Sequence, residues 1–160
     1  MHNSTATHQK KKTRIVIVGA GFGGTYAYRH LHRMLHGRKD VSITLINREN
    51  YFLFTPLLHE VATGGISAEN IVQPIREVLG CCVDDLVCAT VKSISFSERA
   101  IHTSEKTMEY DYAVIALGSE TNFCGIPGAE KHSFQLKNLS DASALKNHFV
   151  DTFEKASQCA

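Results

Sequence analysis

Apolar and polar positions in the first fifty residues predict a strand, a glycine-rich turn, a helix and a second strand. Residues 14–18 are a short run of mainly β-branched apolar side chains, typical of a strand that is buried on both faces. A helix is predicted over residues 25–36, where Leu31 and Leu35 lie four positions apart on one face. A second β-branched run at residues 41–46 completes a unit of about thirty residues, the size of a βαβ motif.

The middle of the chain has weaker patterns. Residues 52–80 contain loop and helical positions, with Pro74 in the first turn of a helix over residues 75–79. Residues 86–91 are strand-like. Alternating apolar positions then predict an antiparallel hairpin whose turn is Ser97-Glu98-Arg99 and whose strands carry Ile94, Phe96, Ile101 and Thr103.

The last part of the chain predicts one more strand and a final helix. The apolar run at residues 112–117 is expected to be a buried strand that ends at a glycine. A helix is expected from residue 140 onward, capped by Ser140 or Asp141. Its apolar positions repeat every four residues at Leu145, Phe149 and Phe153.

Composition and charge narrow the class of protein. The chain has 160 residues, 43% of them apolar and 21% charged, as in an ordinary soluble globular protein. A net charge of +1 gives no electrostatic argument for binding nucleic acid or acidic membranes. The five cysteines are odd in number and form no C-x-x-C pair, which favours free thiols in a reducing compartment. Residues 1–13 are interpreted as a flexible polar tail.

The strongest motif is a G-x-G-x-x-G sequence between the first strand and the first helix. Gly19 allows the tight turn out of the strand, Gly21 lets backbone approach a pyrophosphate, and Gly24 lets the helix pack close to the strand. The start of the helix also offers N–H groups and a positive dipole end to phosphates. With a strand before it and a helix after it, the motif predicts a dinucleotide site in a Rossmann-like fold. We therefore expect a three-layer α/β fold with a parallel sheet and a small antiparallel excursion.

One position departs from this dinucleotide pattern. An acidic residue normally ends the second strand and holds the ribose hydroxyls, but this chain has Asn47 there. An amide hydrogen-bonds a hydroxyl more weakly than a carboxylate does. It also repels a 2′-phosphate less, and Arg48 could meet such a phosphate. The loop alone therefore does not separate FAD from NADP, and Glu49 stands two residues later than the usual acid.

Three stretches of the chain resemble the type II NADH dehydrogenases, the alternative NADH:quinone oxidoreductases, within the flavoprotein pyridine-nucleotide reductases. They are residues 15–24, residues 44–64 and residues 110–119, the last followed by Ile126-Pro127-Gly128. The glycine loop is common to many folds. The sequence from Pro56-Leu57-Leu58 to Ala62-Thr63-Gly64 is much more specific to this family.

The resemblance implies that the cofactor is FAD and assigns its contacts. The glycine loop would hold the pyrophosphate, Asn47 and Arg48 the adenosine end, and backbone near Val91 the adenine. Residues 55–57 would pass close to the isoalloxazine ring, and residues 116–118 would close over the FAD near its pyrophosphate. The implied cofactor-binding residues are Gly19, Ala20, Gly21, Phe22, Gly23, Gly24, Asn47, Arg48, Thr55, Pro56, Leu57, Val91, Ala116 and Gly118.

The resemblance also implies an activity, which is electron transfer from NADH through the flavin to a quinone in a respiratory chain. It requires no catalytic acid or base from this chain. In this family a second G-x-G-x-x-G begins an NADH-binding fold, and none occurs before Ala160. We therefore expect residues 14–137 to be the FAD-binding domain and residues 138–160 a helix leading towards an NADH-binding domain. The fragment would be soluble and inactive alone. The full-length enzyme would be peripheral on the cytoplasmic side of a membrane, and a homodimer is among its expected partners.

Other interpretations remain open at the level of sequence. The chain could come from a soluble FAD-dependent reductase with another acceptor, or be a truncated nucleotide-binding module without turnover. His32 and His36 share a helix face, but no further ligand accompanies them, so no metal site is predicted. The pair His59-Glu60 is interpreted as part of a loop near the flavin. Cys124 follows the last predicted strand and is not assigned a reactive role.

Overall fold

A computed structural model describes residues 12–80 and 85–159. Residues 1–11 of the predicted polar tail lie outside the described residues, as do Cys81 and Cys82. The helices and strands follow in the order β1 (Thr13–Val18), α1 (Phe22–Leu35), β2 (Val41–Asn47), β3 (Tyr51–Leu53), a 3-10 helix (Thr55–Leu57), α2 (Leu58–Ala62), a second 3-10 helix (Ala68–Ile71), β4 (Val72–Pro74), α3 (Ile75–Leu79), β5 (Asp85–Cys88), β6 (Val91–Ser95), β7 (Ala100–Thr103), β8 (Thr107–Glu109), β9 (Tyr112–Ile115), α4 (Ala129–His132) and α5 (Leu139–Gln158).

These elements divide into two compact units. The sheet unit contains the described residues of Met1–Asn50 and Leu79–Leu117, and the helical unit contains those of Tyr51–Val78 and Gly118–Ala160. Each unit has a hydrophobic core made only from its own residues.

The sheet unit is built on a four-stranded parallel sheet with the order β5-β2-β1-β9. β1 pairs with β2 from Thr13↔Val41 to Val18↔Ile46, and with β9 from Ile15↔Tyr112 to Val18↔Ile115. The predicted strands at residues 14–18 and 41–46 are confirmed. The strand predicted over residues 112–117 is shorter, because its pairing with β1 stops at Ile115, and it is not buried as expected, since Tyr112 is 65% exposed and Ile115 49%.

Three layers form around this sheet, as the sequence predicted. Alternate side chains of β1 point to opposite faces. On one face Val16 and Val18 pack with Ile46, Ile101 and Tyr110 against the antiparallel sheet β6-β7-β8. On the other face α1 lies against β1, β2 and β9. The predicted α/β class is confirmed.

The antiparallel layer differs in detail from the prediction. The strand predicted at residues 86–91 is two strands, because β5 pairs with β2 in the parallel sheet and β6 begins the antiparallel one. Residues 89 and 90 make the crossing between the two sheets. The predicted turn at residues 97–99 is present, but Phe96 is outside the strand and 72% exposed. β8 was missed, because three residues are too few to display an alternating pattern.

The helical unit packs α2 against α5. Leu58, Val61, Ala62, Ile71 and Ala142 form its buried core. β3 and β4 form a two-stranded antiparallel ribbon, which the sequence pattern did not predict. The predicted helix at residues 75–79 is confirmed as α3, and Pro74 lies just before it at the end of β4.

The prediction for the start of α5 was wrong about the capping residue. The helix begins at Leu139 and its cap is Asn138, whose side-chain oxygen accepts a hydrogen bond from the Asp141 backbone N–H at 2.9 Å. The Asp141 carboxylate accepts the Asn138 backbone N–H in return, at 3.1 Å. Asp141 is therefore the third helical residue of a capping box, and Ser140 lies inside the helix. Further along, Leu145 packs on the core, whereas Phe153 is 74% exposed.

An ion pair fixes the ends of β1 and β9 that lie opposite the glycine loop. The Asp111 carboxylate accepts the Arg14 backbone N–H at 2.8 Å, and its two oxygens each accept a guanidinium N–H at 3.3 Å. The Asp111 N–H donates to the Arg14 carbonyl at 2.9 Å. Arg14 also pairs with Glu109. Hydrogen bonding to Asp111, with a smaller contribution from Glu109, raises the pKa of the Arg14 guanidinium.

We expect Asp111→Ala to lower the free energy of unfolding by about 1–3 kcal/mol, because it removes one acceptor from both a backbone amide and a guanidinium. Glu109→Ala is the matched control. It removes a more exposed partner of the same arginine and should cost less than about 1 kcal/mol. Urea unfolding followed by circular dichroism measures both values. Equal losses for the two variants would contradict the special role of Asp111.

We expect Asn138→Ala to destabilise the helical unit by about 1 kcal/mol, the usual effect of losing a helix N-cap. Ser140→Ala, at one of the two positions that the sequence suggested as a cap, should cost a smaller amount. Thermal unfolding of the two variants beside the unmodified chain tests the order. A larger loss for Ser140→Ala would reject Asn138 as the cap.

Candidate nucleotide-binding site

The glycine loop (residues 19–24) lies at the carboxyl ends of three neighbouring strands. The backbone N–H of Gly19 donates to the Ile46 carbonyl at the end of β2, at 2.8 Å. On the other side, the N–H of Ala116 donates to the Val18 carbonyl at 2.8 Å. In the sheet, β2 lies on one side of β1 and β9 lies on the other. The loop that follows β1 therefore stands at the point where the strand order reverses. Open α/β sheets bind ligands at this position.

Two glycines of the loop are required by the packing of the protein itself. Gly19 has a φ of +98°, and a Cβ there would lie 2.3 Å from the Ala116 carbonyl oxygen. A Cβ on Gly24 would lie 1.7 Å from the Gly19 carbonyl oxygen. Both neighbours are backbone atoms, so a side chain at either position would require the chain itself to shift. The roles predicted for Gly19 in the turn and for Gly24 in close helix–strand packing fit this geometry.

Gly21 has no such internal reason to be glycine. No heavy atom lies within 4 Å of the position that its Cβ would occupy. Its φ of −74° is one that any residue adopts. The space beside Gly21 therefore faces outward, where a ligand could reach the backbone.

The start of α1 is suited to an anion. Gly21 is its N-cap and supplies no side-chain hydrogen bond, and the first turn contains no acidic residue. A helix of 14 residues carries a partial positive charge at this end. Phe22 and Gly23, both predicted cofactor contacts, are exposed in the first turn. α1 begins at Phe22, three residues earlier than predicted, so Gly23 and Gly24 belong to the helix.

Asn47 bridges the glycine loop and the residues after β2. Its Oδ1 accepts the backbone N–H of Ala20 at 2.9 Å, and its Nδ2 donates to the Glu49 carbonyl at 2.9 Å. Arg48 is exposed, and its Nε lies 3.1 Å from Glu49 Oε1. Sequence reasoning treated Asn47 only as a ribose contact and missed the bond to Ala20. The signal was the parallel pairing of β1 with β2, which places the end of β2 beside the loop.

The other predicted residues of the sheet unit lie on its carboxyl edge or in its antiparallel layer. The Ala116 Cβ is 3.6 Å from the position that a Cβ on Gly23 would take, so this residue borders the loop. Val91 is the first residue of β6, pairs with Thr103 and packs on the core of the sheet unit.

The remaining predicted contacts belong to the helical unit. Thr55, Pro56 and Leu57 form the first 3-10 helix, and all three side chains are exposed. Gly118 is exposed and has a φ of +78°, which favours glycine whatever the surrounding space.

The other residues that the sequence singled out show no site among the described residues. The rings of His32 and His36 meet edge to face at 5.1 Å, but histidine, cysteine and acidic side chains of residues 12–80 and 85–159 form no group of three that could hold a metal. His59 lies 3.5 Å from Glu60, and both side chains reach solvent. Cys124 is exposed and has a φ of 52°. Over the same two ranges, no helix combines the length and apolar character needed to cross a bilayer.

Comparison with known proteins agrees with this architecture. External alternative NAD(P)H-ubiquinone oxidoreductase B2, mitochondrial, from Arabidopsis thaliana is 33% identical over 159 residues, which cover 92% of this chain and 26% of that protein. Type II NADH:quinone oxidoreductase from Staphylococcus haemolyticus is 30% identical over 142 residues, which cover 89% of this chain and 35% of that protein. The structure of NDH2 from Plasmodium falciparum in complex with NADH superposes with a TM-score of 0.76 at 28% identity, over 92% of this chain and 30% of that one.

The chain thus spans about a quarter to a third of the length of these relatives. The family pattern described as pyridine nucleotide-disulphide oxidoreductase matches residues 13–156, which include both units and the glycine loop. The chain belongs to the pyridine nucleotide-disulphide oxidoreductase family.

Proposed function

We propose that this chain binds FAD, with the diphosphate on the glycine loop at the carboxyl edge of the parallel sheet. The observation that carries the proposal is the open space beside Gly21 at an uncapped helix start. Gly19 and Gly24 are glycine for internal reasons, whereas the lack of a side chain at Gly21 serves only something outside the chain. A dinucleotide pyrophosphate is the ligand that such a loop accommodates.

The residues around the loop fit the adenosine half of such a cofactor. Ala20, Phe22 and Gly23 would bring backbone to the diphosphate, and Ala116 would border it from the next strand. Asn47, Arg48 and Val91 are proposed for the adenosine end. Thr55, Pro56 and Leu57 stay predicted contacts of the flavin end, and Gly118 stays a predicted contact near the pyrophosphate.

FAD is preferred to NADP as the ligand of this loop for two reasons. Arg48, the cation that could meet a 2′-phosphate, lies against Glu49 at 3.1 Å, which offsets its charge. The relatives are named as NAD(P)H- or NADH-dependent quinone oxidoreductases, and the resemblance assigns their first glycine loop to FAD.

The activity proposed for the whole protein is electron transfer from NADH to a quinone. Flavin supplies the hydride and electron chemistry when it is bound, and the protein contributes binding and orientation. The part described here would hold the cofactor by its diphosphate, and the lack of a side chain at Gly21 would leave room for the diphosphate to reach the backbone. NADH, quinone, peripheral membrane contact on the cytoplasmic side and homodimer formation are proposals for the longer protein.

We expect the purified chain to carry flavin or to take it up from added FAD, with absorbance bands at about 375 and about 450 nm. Bound flavin should approach one equivalent per chain on titration, while FMN, which lacks the adenosine half and the diphosphate, should bind much more weakly. A protein that is folded by circular dichroism, colourless and indifferent to added FAD would contradict the proposal.

We expect Gly21→Val to lose FAD and to keep the fold. The new side chain meets no protein atom within 4 Å at its Cβ, so it would occupy only the ligand's approach. The FAD dissociation constant should rise by at least about a hundredfold, because the valine side chain would displace the diphosphate from its close approach to the Gly21 backbone. The thermal unfolding midpoint of the flavin-free protein should fall only by the small amount expected for a poorer N-cap residue, and by less than in Gly24→Ala.

Gly24→Ala is the matched comparison. Its Cβ would lie 1.7 Å from the Gly19 carbonyl oxygen, so it should cost about 3 kcal/mol of stability before any ligand is considered. Full retention of stoichiometric flavin in Gly21→Val would refute the placement of the diphosphate on this loop.

A further inference from the structure

Asn47 has both ends of its side-chain amide engaged within the protein. Its Oδ1 accepts from the Ala20 N–H and its Nδ2 donates to the Glu49 carbonyl, each at 2.9 Å. Ala20 is only 2% exposed. An amide N–H in such a place is costly to leave without an acceptor. Asn47 therefore satisfies a buried backbone donor in the middle of the glycine loop.

This hydrogen bond is the second of two that connect the glycine loop to the end of β2. The Gly19 N–H donates to the Ile46 carbonyl at 2.8 Å, and the Ala20 N–H donates to the next residue, Asn47. Two successive amides are thereby fixed to the end of β2. Gly21, the residue that the proposed diphosphate approaches, follows directly. The position of its backbone depends on these two anchors.

We propose that Asn47 is a positioning residue that holds the glycine loop in the shape the dinucleotide requires, and that it does not read the ribose through charge. This inference rests on the proposed function for its ligand. It explains why the residue at the end of β2 is an amide in this chain. A carboxylate could accept from Ala20, but it has no proton to give to the Glu49 carbonyl. Only a neutral side chain with both a donor and an acceptor makes the two bonds together.

The specificity of the site follows from the same arrangement. With no negative charge at Asn47 and with Arg48 against Glu49, the adenosine end would be recognised by neutral hydrogen bonds and shape. An acid at this position would add charge at the ribose but lose one of the two bonds that support the loop. If Asn47 supports the loop, a carboxylate at this position should weaken FAD binding. If it reads the ribose, a carboxylate should strengthen FAD binding.

The experiment has two readouts, the first of which needs no ligand. Amide hydrogen exchange of Ala20, measured by NMR on the flavin-free chain, should accelerate about tenfold or more in Asn47→Ala, the factor that corresponds to one lost hydrogen bond. Asn47→Asp keeps the acceptor, so its Ala20 amide should exchange more slowly than in Asn47→Ala. Asn147→Ala, on an exposed position of α5, is the control and should leave Ala20 unchanged.

The second readout is the dissociation constant of FAD. Asn47→Ala should weaken binding about tenfold, while Asn147→Ala leaves it unchanged. Asn47→Asp should weaken binding a few-fold, because the bond to Glu49 is lost. Tighter binding by Asn47→Asp would overturn the inference, since it would show direct reading of the ribose. Unchanged Ala20 exchange in Asn47→Ala would overturn it as well. If the unmodified chain binds no FAD, the proposed function fails, and the exchange rates alone still decide whether Asn47 holds the loop.

Discussion

The candidate site depends on how closely the start of α1 approaches the end of β1. Gly24 sits so near the Gly19 carbonyl that a single methyl group would overlap it, at 1.7 Å. This contact sets the direction of the helix relative to the strand, and it leaves the first turn of α1 above the carboxyl edge of the sheet. The open face of Gly21 lies in the turn that this approach closes, while hydrogen bonds to Ile46 and Asn47 hold the same turn from the end of β2.

The close approach of α1 to β1 requires glycines that are unfavourable in a helix, and apolar burial around them offsets this loss of stability. Gly23 and Gly24 lie inside α1, where each glycine is less favourable than alanine by about 1 kcal/mol. Burial of Tyr28 on the same helix and of Ile17 and Leu45 in the strands supplies compensating apolar contact. At the opposite end of β1, Arg14 and Asp111 fix the register with β9. β1 is thus held at both ends, and the helix that follows it can carry glycines in its first turn.

Sequence reasoning succeeded where a local pattern and the tertiary structure make the same demand. The runs at residues 14–18 and 41–46 are rich in β-branched side chains and their carboxyl-terminal halves are buried, so the local pattern and the sheet favour the same strands. Sequence reasoning failed where a contact specific to the folded chain determines where an element begins. The start of α1 was placed after the glycine-rich turn, yet Gly23 and Gly24 are helical and Gly24 packs closely on the end of β1. The capping box of α5 shifted the cap from Ser140 to Asn138, since Asp141 proved to be the reciprocal partner. β3, β4 and β8 are too short to have a readable period.

The same distinction applies to the candidate site. The glycine motif carries its own geometry, so Gly19, Gly21 and Gly24 could be assigned roles from spacing alone. The side chain of Asn47 could not, because a residue that ends one strand and supports the loop after another is recognised only when the register of the two strands is known. A motif that names the residue at the end of β2 as the ribose contact treats that position as facing outward. In this chain the amide faces the loop, where it accepts the Ala20 N–H, so a change of charge at this position would also change how the loop is supported.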